Sequence, residues 1–157
     1  MEKKNTTRTT GFWVIMVMGI ISLAMLLIGQ LPSFINYDFS VSIGMQEPAN
    51  VIGAMGVAVN KGIALSDTLI ILPLLLIGLA GLWKRKPWGL FAMAGIMTYM
   101  AYWPMVCLFW FVFAKGLPDF HFTNFISYII ICSFFTLYAL WALWYLYKKR
   151  KILVKEP

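Results

Sequence analysis

Apolar positions in this chain fall in long unbroken runs, with no alternation and no amphipathic stripe. Four runs stand out, at residues 11–31, 62–83, 88–114 and 122–146. The first, third and fourth carry no charged residue, and the second carries one, Asp67. A helix needs about 20 apolar residues to cross the hydrocarbon core of a bilayer. Runs of this length read as spanning helices, whereas a barrel shows alternating segments of roughly ten residues. The expectation is an all-α integral membrane protein, a single domain over residues 1–157 with four transmembrane helices.

The polar breaks between the runs set the topology. Lys84-Arg85-Lys86-Pro87 is a very short turn, so the second and third spans are antiparallel neighbours. Residues 115–121, with Gly116 and Pro118 as breakers, join the third and fourth spans in the same way. An up-down-up-down bundle follows. Only the stretch 32–61 is long. Its first half mixes aromatic and polar residues, and its second half looks helical, with Glu47-Pro48 suiting a helix start. Either the second span begins near Pro48 and runs to Trp83, or the chain breaks near residues 60–62 and an extra short helix lies along the outer membrane surface. Ala54, Ala58, Gly62 and Ser66 recur at four-residue spacing, a small-residue ridge of the kind that lets membrane helices approach closely. Pro73 and Pro104 each remove a helix hydrogen bond and predict kinks.

Composition agrees with the pattern: 61% of residues are hydrophobic and 12% charged, against about a quarter charged in soluble domains. The net charge of +7 matters less than its placement. Lys3, Lys4 and Arg8, then Lys84, Arg85 and Lys86, then Lys148, Lys149, Arg150, Lys151 and Lys155 fall on one side; Lys61 and Lys115 fall on the other. The positive-inside bias therefore predicts cytoplasmic termini in the cell's inner membrane. The basic tail, residues 147–157, reads as a topology anchor toward anionic lipid and not as a nucleic-acid site. The first span is too long for a signal-peptide core and no small-residue cleavage site follows it, so it reads as retained. Trp13, Trp83, Trp88, Trp141, Trp144, Tyr145 and Tyr147 form an aromatic belt at the basic boundary.

Candidate chemistry is sparse. Asp67 comes first, because a charge in hydrocarbon costs at least ~2.5 kcal/mol and usually faces the bundle interior or a wet cavity. Asn60 lies seven residues earlier on the same face, so the two are expected to line one polar pocket. Tyr99, Trp103 and Cys107 share a face of the third span with Tyr102 adjacent, and Asn124, Tyr128, Cys132 and Thr136 share a face of the fourth. These residues predict a ligand cavity in the outer half of the bundle; interhelical packing is the plainer alternative. Asp119 and His121, with Asp38, Glu47 and Asp67 on the same side, are the weak candidates for a metal, although helix capping explains the first two more simply.

Several classes are excluded. One histidine forbids bis-histidine haem ligation within the chain, there is no CxxC pair, and no glycine-rich phosphate loop is present. No cofactor is expected. Three roles stay open. The first is a binding or transport bundle for a small apolar or cationic molecule, for which a homodimer is expected because four spans are few for a transporter. The second is an accessory subunit packed on a larger membrane partner. The third is a lipid-modifying enzyme using Asp67 as acid or base, assisted by His121 or Asp119.

Overall fold

A computed structural model describes residues 8–114 and 125–154. Among them the chain is helical with no strand. Five elements matter: α1 (Thr10–Ile35), α2 (Tyr37–Ser42), α3 (Ala49–Trp83), α4 (Pro87–Ala114) and α5 (Phe125–Leu153). All but α2 are long and apolar enough to cross a membrane. The outer surfaces fit that setting: Ile20, Phe91, Val112, Phe113, Ile126 and Leu137 are each more than half exposed. A soluble monomer does not show so large an apolar surface.

The long helices pack side by side in chain order, with α1 also against α5. Their register is antiparallel throughout: Gly78 lies on Met93 and Gly81 on Gly89, while Gly19 meets Leu79 and Gly11 meets Tyr145. The shared core holds Ile15, Leu75, Leu82, Met93, Ile96, Met97 and Leu146, all fully buried. The α3–α4 turn is closed by Lys86 N–H on the Gly81 carbonyl at 2.9 Å, with Arg85 at φ 55° and Pro87 starting α4. Proline suits that first position because its missing N–H has no helical partner there. Beside the turn, a Cβ on either Gly81 or Gly89 would overlap the other's backbone, so only glycine permits this approach.

The basic end is tied together by the N-terminus. Arg8 donates to the Trp83 carbonyl at 3.4 Å and stacks 3.6 Å from the Trp83 ring centroid. Thr9 hydrogen-bonds Tyr145, which is buried. Tyr145 is thus a core residue, while Trp13, Trp83, Trp88, Trp141, Trp144 and Tyr147 stand exposed at this end.

One departure from the sequence reading concerns proline: the first helix runs past Pro32 to Ile35. The second long helix takes the first of the two alternatives the sequence left open, starting at Ala49, beside Pro48, and running to Trp83. Each contains a π turn, Leu26–Gln30 in α1 and Asp67–Ile71 in α3, just before Pro32 and Pro73. A proline ring clashes with the carbonyl four residues back; widening that turn relieves the clash without ending the helix. Pro104 sits inside α4, which stays α-helical throughout. No break occurs at residues 60–62; the non-helical backbone within α3 is instead at Gly53, φ 69°.

Candidate functional site

Away from the basic turn, a cavity of about 590 Å³ lies between the first part of α3 and the packed pair α4 and α5. The α4 face supplies Trp103, Val106, Cys107, Trp110 and Phe111, repeating at helical spacing, and α5 supplies Tyr128. Phe111 packs edge-on against Tyr128 at 5.8 Å and Phe125 at 5.5 Å, which fixes the aromatic wall. The opposite wall is the first part of α3, including Val51, Ile52, Val59 and Asn60. Gln30 closes one side, and Met45, Gln46 and Glu47 cross the mouth.

The segment bearing Glu47 is held by hydrogen bonds. Asn36 ends α1 in an extended conformation and caps α2, accepting from Phe39 N–H at 3.1 Å. This turns Tyr37 inward. Asn60 Nδ2 donates to the Tyr37 hydroxyl at 3.2 Å and to Gln46 Oε1 at 2.9 Å, and the Tyr37 hydroxyl donates to the Glu47 carbonyl at 3.0 Å. Burial pushes Tyr37 above its usual value of 10.0; the Asn60 hydrogen bond opposes this and the Glu47 charge adds to it. Tyr37 therefore works as a neutral phenol. Gly44, at φ 73°, makes the bend before Met45.

Asp67 belongs to a different cluster. It is 5% exposed, in the π turn of α3, and accepts a 2.6 Å hydrogen bond from the Tyr99 hydroxyl. Tyr99 in turn lines a smaller chamber of about 280 Å³, with Ser22, Gln30, Ile96, Met100 and Trp103. Gln30, Met45 and Trp103 line both chambers. The two π turns lie against each other at this level.

The residues singled out in the sequence thus divide. Asn60, Trp103, Cys107 and Tyr128 border the larger cavity, and Tyr99 and Trp103 the smaller one. Asp67 lines neither directly, and the pocket expected to unite it with Asn60 is replaced by two polar clusters, because Asn60 turns to Tyr37 and Gln46. Tyr102 is 65% exposed on the outer face of α4 and joins no cavity described above. Cys107 and Cys132 are free thiols in direct contact between α4 and α5. Asp119, His121 and Asn124 lie outside the described residues, so neither the weak metal candidates nor the pairing of Asp67 with His121 is carried further.

Sequence reasoning missed Gln30, Met45, Gln46, Trp110 and Phe111, and gave Glu47 only a metal role. Trp110 and Phe111 hid among lipid-facing aromatics. Pro32 and Pro73 held the signal for the π turns, since each lies two residues beyond one. Comparison with known proteins finds no family model, curated protein or solved structure that matches the chain.

Proposed function

We propose that this protein is a binding and transport bundle for a small apolar or cationic molecule, taken up in the larger cavity from the outer leaflet of the cell membrane. Both termini are cytoplasmic in this reading, which rests on the basic residues gathered at one end of the bundle. The observation that carries the proposal is the cavity: an aromatic wall of Trp103, Trp110, Phe111 and Tyr128 facing a mouth that bears the Glu47 carboxylate. Its size falls within the range typical of small-molecule sites, about 300–1,000 Å³. Aromatic faces attract organic cations, and a single carboxylate at the entrance adds charge preference.

Tetraphenylphosphonium is a suitable probe. Titrated into the protein in nanodiscs, it is expected to change the emission of Trp103 and Trp110 saturably. Glu47→Gln is expected to weaken binding by about fivefold, as for loss of one partly solvated charge interaction. A linear response equal to that of protein-free nanodiscs rejects the proposal.

One observation favours the second role, an interface with another chain. Ala54, Ala58, Gly62 and Ser66 are all exposed, and a side chain on Gly62 would meet no atom within 4 Å. We read this smooth ridge as the contact of a homodimer or of a larger membrane partner. Gly62→Ile is expected to shift the oligomer toward monomer in detergent; an unchanged size distribution removes the ridge from any self-association.

A further inference from the structure

Asp67 is the one acidic residue within the long apolar helices, and nothing in the cavity reading uses it. Its sole polar partner among the described residues is the Tyr99 hydroxyl. The neighbouring elements offer no fixed positive charge: residues 9–36, 87–114 and 125–147 contain no lysine, arginine or histidine. Within its own helix the nearest cation is Lys61, six positions away and exposed. A carboxyl group in low dielectric with no counter-charge takes up its negative charge most readily when a cation lies nearby, so its charge and the cation's binding favour each other.

Geometry supplies a place for that cation. Tyr99, whose hydroxyl donates to Asp67 at 2.6 Å, lines the smaller chamber. A phenol whose hydroxyl donates a hydrogen bond to a carboxyl oxygen has a more electron-rich ring, and Trp103 adds a second aromatic face, both suited to an organic cation. The walls also hold two buried polar atoms without a partner among the described residues, Ser22 Oγ and Gln30 Oε1. Native interiors rarely leave such atoms unpaired. The two π turns meet at the same level, and π turns frequently mark functional positions in helices. Trp103, Gln30 and Met45 border both chambers, so the two lie side by side with Trp103 between them.

We infer that the smaller chamber is the seat of the ligand's cationic group, with Tyr99 and Trp103 as its walls and Asp67, acting through Tyr99, as the residue that selects positive charge. The ligand class narrows to a molecule with an apolar body in the larger cavity and an ammonium-like end in the smaller chamber. Glu47 attracts such a molecule to the mouth; Asp67 discriminates. This inference rests on the cavity reading given under Proposed function.

The test compares benzyltrimethylammonium with neopentylbenzene, which has the same shape with carbon in place of the charged nitrogen. Binding of each to the full chain in nanodiscs is followed by tryptophan emission, corrected for partition into protein-free nanodiscs. The native protein is expected to prefer the cation by about tenfold, the scale of one desolvated cation–aromatic contact. Asp67→Asn is expected to bring that preference close to one while neopentylbenzene binds as before. Glu47→Gln is expected to keep most of the preference. Should Asp67→Asn not assemble, Trp103→Leu carries the same expectation of a reduced preference. A preference unchanged in Asp67→Asn, or in Trp103→Leu where Asp67→Asn does not assemble, overturns the seat and leaves the cavity reading standing. So does a preference lost in Glu47→Gln alone. Failure of both probes to bind saturably overturns the two readings together.

Discussion

Asn60 and Asp67 look alike in the sequence, two polar residues on one face of an apolar helix, yet they do different work. Asn60 is a tether. Its two hydrogen bonds hold Tyr37 and Gln46 and so fix the segment that carries Glu47 over the cavity. Asn60→Ala leaves Gln46 Oε1 without its donor and Tyr37 with only the Glu47 carbonyl, and the expected cost is about 1–2 kcal/mol, read from thermal unfolding in detergent. Tyr37 adds a pH dependence to the same tether. Its phenol proton is held above the usual 10.0 in the folded chain. The unfolded chain therefore loses that proton first as pH rises. The contribution is complete below pH 10.0 and declines above it. Phenolate absorbance of the native protein minus that of Tyr37→Phe is expected to show one tyrosine titrating later than a free one; coincidence with the free titration contradicts this. Asp67 was legible in the sequence as the residue out of place, and its tyrosine partner was a candidate too. Its distance from Asn60's cluster was not legible, because helical-face arithmetic ignores which neighbouring helix each residue meets.

At the level of elements, prolines and glycines decide where the sequence reading failed. Pro32 looked like the end of the first span, since proline removes a hydrogen bond. The π turn at Leu26–Gln30 absorbs the clash and the helix continues. The same device at Asp67–Ile71 keeps α3 continuous through Pro73. Polar side chains back-bond around these turns, with Ser33 on the Gly29 carbonyl and Thr68 on the Ala64 carbonyl. Glycines divide by what surrounds them, which spacing alone does not reveal. Gly89 lies against the Gly81 backbone, whereas Gly62 faces outward with open space. Gly89→Ala is expected to destabilise the bundle by about 1–3 kcal/mol through overpacking. Gly62→Ala is expected to be neutral or to stabilise by up to about 1 kcal/mol through helix propensity. Equal effects at the two positions would contradict the packing described here.

For the whole molecule, the four long apolar helices were readable from run length and charge alone, because hydrocarbon imposes so strict a demand on backbone hydrogen bonding. The cavity was readable only in part. Asn60, Trp103, Cys107 and Tyr128 were found by the helical faces they share with other polar positions, but Trp110 and Phe111 resembled the lipid-facing aromatics around them. The mouth was not readable at all, because it depends on how residues 36–48 fold back across α3. What unites the molecule is the asymmetry between its ends. At the basic end, Arg8, Thr9, Trp83 and Tyr145 bind the helices tightly together. At the other, the first part of α3 faces the packed pair α4 and α5 across a chamber with an aromatic wall.

If that chamber is a binding site, a ligand must occupy it in a limited number of copies. Equilibrium binding of radiolabelled tetraphenylphosphonium to the protein in nanodiscs is the measurement, made on the native chain, on Val106→Phe, which projects a ring into the cavity, and on Tyr102→Ala, which alters only the outer face of α4. One saturable site per chain is expected in the native protein and in Tyr102→Ala, with affinity lowered by about tenfold or more in Val106→Phe through loss of cavity space. Binding that is unsaturable, or equal in native and Val106→Phe proteins, contradicts it.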